Sequence, residues 1–578
     1  MNETEEKAEP PRARVLPRWL IDWLPEIVLV LVTTGAGFWA AGRWLDPCGD
    51  PGYSWSYAYR LSLGEKLYRD IYTQYSPLSL YLLAAGARVF GATSRYFLLA
   101  TWIPAILAAL LVLRCGRAFL SAFERLALAG MIIATSLFVP GPGHLVFPYY
   151  AGVVHALIFS TAALLCISPE TELLPRAVLW SGCLAGLAFA CKQEIGVAVL
   201  GGLVLGVIPG RDRSHVALAW LFAGFLAVLL PVALFVWSSA PYDSLVHDNH
   251  LWPISSPPST TMHLLTLTSG MARPLWLAAL IKRIALGLCL LGGLAAIALF
   301  AARGRGRAPW LRVLLLSATA LLVWLAVRRS PVTALPPLAV STLVGFLVAA
   351  AALLIKDLPH RTLLIGLATF AGLFGMRNAF SPNVTGPYAG PAHLVSALTS
   401  LIAVLVLAPR LILGRTRAAA SLRAILATGL FGFCWWHAGR SIGFLRHREN
   451  ASVETRAGRV FTAPGRRDLL EAVGRAAAPG ERILVLPESY AIDVLFQLRE
   501  VSPLPWATPG WFDARIETRL LRRVEVSPPD LVILLAREFK EYRSGPFGVG
   551  YGLALSDWCS RNYRTVASLP AGQVLRRR

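Results

Sequence analysis

A succession of long apolar runs limits what this chain can fold into. They fall at about 22–41, 95–113, 126–141, 149–167, 177–191, 195–209, 216–239, 284–302, 311–327, 337–355, 362–376, 389–408 and 422–440. A bilayer core takes roughly 20 apolar residues of helix, so roughly thirteen transmembrane helices are predicted. In hydrocarbon every backbone N–H and C=O must bond within the protein, which leaves helices as the answer for such runs. Composition agrees. Of the 578 residues 56% are hydrophobic and 15% charged, where a soluble chain carries about 25% charged.

The connections between runs fix the sides. Arg114, Arg117 and Arg125, Arg176, Arg211 and Arg213, Arg303 to Arg312, Lys356 and Arg361, and Arg410 to Arg423 fall in alternate short connections. Lys and Arg concentrate in cytoplasmic loops, so the N-terminus is placed inside. The outer side then receives 42–94, 141–148, 240–283, 328–336, 377–388 and everything after about 441. The formal net charge of +22 lies mostly in these tracts. A compact basic domain with interleaved aromatics is missing, so nucleic acid is set aside as a partner. No small-residue cleavage site follows the first run, which is read as a retained span after a cytoplasmic tail of residues 1–20.

Residues 445–578 change character and read as a small extracytoplasmic α/β domain beyond a membrane domain of 21–444. "RRDLLEAVGRAAAPGERILVLPE" reads as an amphipathic helix, a turn and a buried strand at 483–486. "PPDLVILLAR" reads as a second buried strand, and "LSDWCSRNYRTVASL" as a helix running into a last strand. The eight cysteines, Cys48, Cys115, Cys166, Cys183, Cys191, Cys289, Cys434 and Cys559, form no CxxC. Zinc-knuckle and thioredoxin-type chemistry are therefore not indicated.

Chemistry is expected on the outer loops, and the first is the richest. In "GDPGYSWSYAYRLSLGEKLYRD", Asp50 follows the first span and Tyr53 lies three residues on. A helix is predicted from Trp55 to Gly64 and a shorter amphipathic one over about 77–90, both lying along the membrane surface. The plain alternative is an aromatic belt with solvated charges.

Asp-x-x-Tyr followed by "AYRLSLGEKLYRDIYTQYSPLSLYLLAAGARVFG" resembles the first outer loop of the GT-C superfamily of membrane glycosyltransferases, which includes protein O-mannosyltransferases, aminoarabinose transferases and lipopolysaccharide galacturonosyltransferases. The motif-level resemblance covers residues 46–95; in span number, orientation and terminal domain it extends to the whole chain. It implies transfer of a sugar from a polyprenyl-phosphate carrier to a lipid, glycan or protein acceptor on the outer face of a bacterial inner membrane. It also implies that Asp50 is the general base or acceptor-orienting carboxylate, since an acceptor hydroxyl is a poor nucleophile until its proton is taken. Pro51 departs from the family, which often has Glu, Asp or His there, and Asp46 is a rival for the role.

Tyr53, Tyr68 and Asp70 are the further substrate-binding candidates of this loop; Asp70 is equally able to pair with Arg69. "CKQEIG" sets Lys192 and Glu194 at an outward tip, either as a phosphate clamp or as a simple ion pair. Arg377 and Tyr388 flank another outer turn, where Arg suits bidentate contact with phosphate. His247, Asp248 and His250 are weak candidate ligands of a divalent ion, without a specific metal motif. His144, Tyr149 and Tyr150 are placed at a further outer turn lining the same cavity.

Two readings compete with the transferase. A lipid or polymer transporter would carry charges along its spans, and these are scarce. A non-catalytic scaffold would bring no cavity around Asp50, Lys192 and Arg377.

Overall fold

The computed structural model describes residues 17–39, 43, 46–139, 144–148, 150–167, 174–208, 214–247, 249, 338–355, 357–379, 390–447, 450–509, 512–539 and 544–578. The apolar runs at 284–302 and 311–327 lie outside them. The others are helices: α1 (Arg18–Trp39), α4 (Ser94–Gly116), α5 (Ala122–Ile132), α6 (Ala151–Cys166), α7 (Pro175–Cys191), α8 (Gln193–Val207) and α9 (Ser214–Ser239), then α11 (Leu338–Leu354), α12 (Arg361–Ala379), α13 (Gly390–Ile402) and α15 (Arg417–Arg446). Short α2 (Pro51–Ser62), α3 (Leu78–Phe90), α10 (Tyr242–His247) and α14 (Ala408–Leu413) complete the set. Single π-helical turns, Ile133–Leu137 and Ala403–Leu407, extend α5 and join α13 to α14. Among the described residues five helices are long and apolar enough to cross a membrane. The chain is a polytopic α-helical membrane protein.

Among the described residues, the basic connections at 114–125 and 410–423 meet at one end of the bundle. Arg117 and Arg125 pair with Glu26 of α1 at 3.1 and 2.8 Å, and Arg423 pairs with Glu124. Glu124 also closes the capping box that starts α5, accepting from Ser121 N at 2.7 Å. At the opposite end, where α1 finishes and α4 begins, the amide of Ser94 donates to Ala457 of the terminal domain at 2.8 Å.

Residues 451–577 form that domain. A hairpin of β1 (Ala451–Thr455) and β2 (Gly458–Thr462) leads to α16 (Pro464–Ala476). A five-stranded mixed sheet follows in the order β4-β3-β5-β7-β6, from β3 (Arg482–Leu486), β4 (Arg499–Glu500), β5 (Leu531–Leu535), β6 (Tyr563–Leu569) and β7 (Gly572–Arg577). Helices α17 (Ile492–Phe496), α18 (Ala514–Val526) and α19 (Leu553–Asn562) connect them. The strand after α19 is not the last one: "GQVLRR" turns back as β7 and lies between β5 and β6.

The first loop differs from its expected form. Helix α2 starts at Pro51, not Trp55, because Pro at the first helical position arrives with φ already set. It does not lie on a surface. Every residue from Pro51 to Leu61 is buried. One side packs on the bundle, where Trp55 stacks on Phe97 at 4.9 Å and meets the edge of Phe147 at 5.6 Å. The other side is covered by the terminal domain: Ser56 donates to Asp493 at 2.7 Å, and Arg60 donates to the Ser502 carbonyl at 2.8 Å. Helix α3 keeps an exposed apolar side, with Tyr81, Leu82, Val89 and Phe90.

Gly52 sets the approach of the two parts. A Cβ there would lie 2.0 Å from the Pro47 carbonyl oxygen and 2.9 Å from the Ala491 nitrogen, both backbone atoms that cannot swing aside. Gly52→Ala is expected to destabilise the protein by about 1–3 kcal/mol, read as a lower melting temperature in detergent.

The covered face also holds buried acids. Burial raises the Glu500 carboxyl to about 8, aided by Asp493 and opposed by the Ser502 and Val485 amides and by Arg60. Burial likewise lifts Asp493 to about 6, against the Ser56 hydrogen bond and Arg60. A carboxyl raised on folding contributes stability that is fully present below its ordinary value and is lost as pH rises through the folded one. Melting temperature should therefore fall between about pH 4.5 and pH 8, and Glu500→Gln should flatten that slope.

Candidate active site

Asp50 occupies the N-cap of α2, half-buried, with φ −48° and ψ −37°. Its side chain makes no capping bond to the first turn, which is closed instead by backbone bonds from Gly52 to Gly49 and from Tyr53 to Asp50. The carboxylate thus sits where the aligned peptide dipoles of α2 favour negative charge. Asp46, its rival, accepts from the Cys48 amide at 3.1 Å and shapes the turn before the helix.

The terminal domain supplies the facing wall. Strands β3 and β5 are parallel neighbours, with Leu486 opposite Leu534. Two residues beyond each strand come Glu488 and Arg537, and these pair at 2.9 Å across the carboxyl edge of the sheet. Tyr490 donates its hydroxyl to the same Glu488 oxygen. Burial pushes the Glu488 carboxyl up and the Asp50 charge adds to this, while Arg537 and hydrogen bonds from Tyr490 and Tyr53 pull it down; the balance is a raised carboxyl. Burial holds the Tyr53 and Tyr490 hydroxyls well above their ordinary range, so both are donors at neutral pH. Arg466 lies over the Tyr490 ring at 5.3 Å and donates to the Cys48 carbonyl.

From this cluster an aromatic wall runs toward the bundle. Tyr53 meets Tyr490 at 5.4 Å and the edge of Trp506 at 5.2 Å. Trp506 meets Tyr57 and Tyr75, each at 6.4 Å, and Tyr75 stacks on Tyr150 at 4.0 Å. Lys192, in the break between α7 and α8, places its ammonium 4.6 Å from the Tyr75 ring centre and 5.3 Å from that of Tyr150. It also pairs with Glu194 at 3.2 Å. An ammonium within about 6 Å of an aromatic face is attracted to it. Asp50 and Lys192 therefore stand at the two ends of one continuous wall, and the simple ion pair of Lys192 with Glu194 is present as well.

The other candidates are placed differently. Tyr68 is fully buried at φ 68° and its hydroxyl donates to the Tyr75 carbonyl at 2.7 Å, so it supports the wall from behind instead of facing a ligand. Asp70 pairs with Arg69 at 2.9 Å and accepts from the Lys66 amide at 2.9 Å. It belongs to the turn closing the far end of α2, roughly 15 Å of helix from Asp50. His144 is buried and accepts from the Phe147 amide at 3.0 Å. Arg377 lies in the last turn of α12 and His247 ends α10, with only their backbone described. Tyr149, Asp248, His250 and Tyr388 lie outside the described residues. Between the two histidines, Asn249 is buried and pins that loop to the first one, accepting from Thr73 N at 2.9 Å and donating to Tyr68 O at 2.8 Å. Among the described residues no group of three His, Cys, Asp or Glu side chains could hold a metal ion.

Glu488, Tyr490, Trp506, Arg466, Arg537 and Tyr75 escaped the sequence reading. A signal existed for two of them. "ILVLPE" and "VILLAR" each place a charge just beyond a buried strand, and in parallel sheets ligands bind outside the carboxyl ends of the strands.

No protein-family model matches the sequence, and no curated protein matches it. Among solved structures, the chain is similar to the archaeal oligosaccharyltransferase AglB from Archaeoglobus fulgidus, in complex with an inhibitory peptide and a dolichol-phosphate, at 14% identity over 97% of this chain and 75% of that one, with a TM-score of 0.47. It is also similar to ArnT from Cupriavidus metallidurans bound to undecaprenyl phosphate, at 14% identity over 96% of this chain and 97% of that one, with a TM-score of 0.46.

Proposed function

We propose that the protein is a GT-C-type glycosyltransferase that moves a sugar from a polyprenyl-phosphate carrier onto a hydroxyl-bearing lipid, glycan or protein acceptor at the outer face of a bacterial inner membrane. In this reading the chain crosses the membrane about thirteen times, with its N-terminus inside and its terminal domain outside. The observation that carries it is Asp50, the residue matched by the first-loop resemblance, standing at the head of α2 on the wall that leads to Lys192.

The chemistry follows from those groups. Asp50 accepts the proton of the acceptor hydroxyl as its oxygen forms a bond to the anomeric carbon. The bond from that carbon to the phosphate oxygen breaks, and the electron pair leaves with the polyprenyl phosphate. Lys192 answers the charge that grows on the leaving phosphate. Trp506 and the tyrosines around it exclude water that would otherwise take the sugar.

The experiment compares surface lipids and glycans of cells with and without the protein by mass spectrometry. A sugar missing from one glycoconjugate, with its polyprenyl-phosphate donor accumulating, is the expected result. Unchanged glycans and carrier lipids count against the assignment.

A further inference from the structure

We propose that Glu488 is the second carboxylate of the Asp50 site, carried by the terminal domain to the first turn of α2, where it acts as a positioning residue for Asp50. The inference rests on the transferase reading above. Pro51 offers no polar side chain beside Asp50, whereas the segment after β3 carries a buried carboxylate, Glu488.

The geometry brings it there. The Cβ position of Gly52 is 2.9 Å from the Ala491 nitrogen, so the first turn of α2 rests on the segment that carries Glu488. Tyr53 lies one helical turn after Asp50, and its ring meets that of Tyr490 at 5.4 Å, which ties that turn to the segment carrying Glu488. Arg537 at 2.9 Å and the Tyr490 hydroxyl hold the same carboxylate from the other side. Glu488 is 6% exposed, and a buried carboxylate held by one cation and one phenol has little freedom to turn.

Several groups face it: Asp50 and Tyr53 from the head of α2, Tyr490 from its own loop, Arg537 after β5, then Arg466 from α16 and Tyr551. A glutamate needed only for hydrogen bonding would tolerate Gln. One needed for its charge beside Asp50 would not, and its ionisation would show in the pH profile. Because Arg537 is the largest influence pulling the Glu488 carboxyl down, removing it should displace that ionisation upward.

The test uses membranes containing the full-length protein with their own donor and acceptor, with product followed by mass spectrometry across the acidic to neutral range. Glu488→Gln is expected to lower the maximal rate about a hundredfold through misplacement of the reacting groups, with little change in apparent acceptor KM. Glu488→Asp should recover part of the loss. Arg537→Met should move the acid limb of the profile up by about one pH unit. A normal rate in Glu488→Gln, or an acid limb that stays in place in Arg537→Met, overturns the proposal. If Glu488→Gln fails to insert, the Arg537→Met limb decides alone. Asp50→Asn separates the two levels: an active variant removes the transferase assignment of the site. An inactive one, beside normal Glu488→Gln and Arg537→Met, removes only the role of Glu488.

Discussion

Asp50→Asn will abolish transfer while leaving the protein folded. The Asp50 side chain makes no capping bond to the first turn, so α2 should still begin at Pro51 in the variant. What is lost is the proton acceptor, and removing a general base costs typically about 10²–10⁴ in rate. The measurement is product formation in membranes carrying the variant, beside a melting curve in detergent. A rate within tenfold of the parent at normal stability would falsify the assignment of Asp50 as base.

Arg60→Met will have the largest effect on stability. Arg60 is 1% exposed and serves three partners: Glu65 at 2.8 Å, the Ser502 carbonyl at 2.8 Å and the Asp70 carbonyl at 2.9 Å. Its charge also faces buried Glu500 and Asp493. Methionine fills much of the space but leaves two carbonyls without their donor and Glu65, Asp493 and Glu500 without their cation. Breaking a buried ion pair from one side costs about 3–5 kcal/mol. We expect a large fall in melting temperature and rapid proteolysis at the junction between the bundle and residues 451–577. Arg60→Lys should rescue little, since an ammonium cannot reproduce the forked contacts. Above about pH 8, where Glu500 ionises, adding Glu500→Gln to Arg60→Met should restore part of the loss by removing one orphaned charge. A variant melting within a degree of the parent would show that Arg60 does not hold the parts together.

How much of this was legible depends on how local each signal is. The bundle was readable because an apolar run of span length has few other folds open to it. Lys192 and Glu194 were readable for the same reason, as charges in a short break between two such runs. Asp50 stood out through its neighbours in sequence. The burial of α2 was not readable. Its Ser, Tyr and Arg residues look like a wetted or interfacial surface, and nothing within twelve residues says that another domain covers it. Glu488 and Arg537 were hidden differently. Both strands before them were read, but not that Ile483–Leu486 pairs in parallel with Leu531–Leu534, and that pairing alone brings the two charges together. Tyr68 misled because its spacing from Asp50 resembled a site pattern, while its left-handed backbone turns the ring into the core. The last strand was masked by its arginines, of which Arg576 is occupied with Glu481 at 2.7 Å.

The covering of α2 also sets an order of events. Ser56 and Arg60 bond to groups 437 and 442 residues further along the chain. Synthesis runs from the N-terminus, and N-terminal parts fold first. For most of its making, the protein therefore holds α2 without its lid, with Asp50 lacking Glu488, Tyr490 and Trp506 around it. A truncated chain cannot assemble this wall. On the proposed function, competence for sugar transfer would be a property of the finished polypeptide alone, and fragments inserted in the membrane would not act on a carrier lipid.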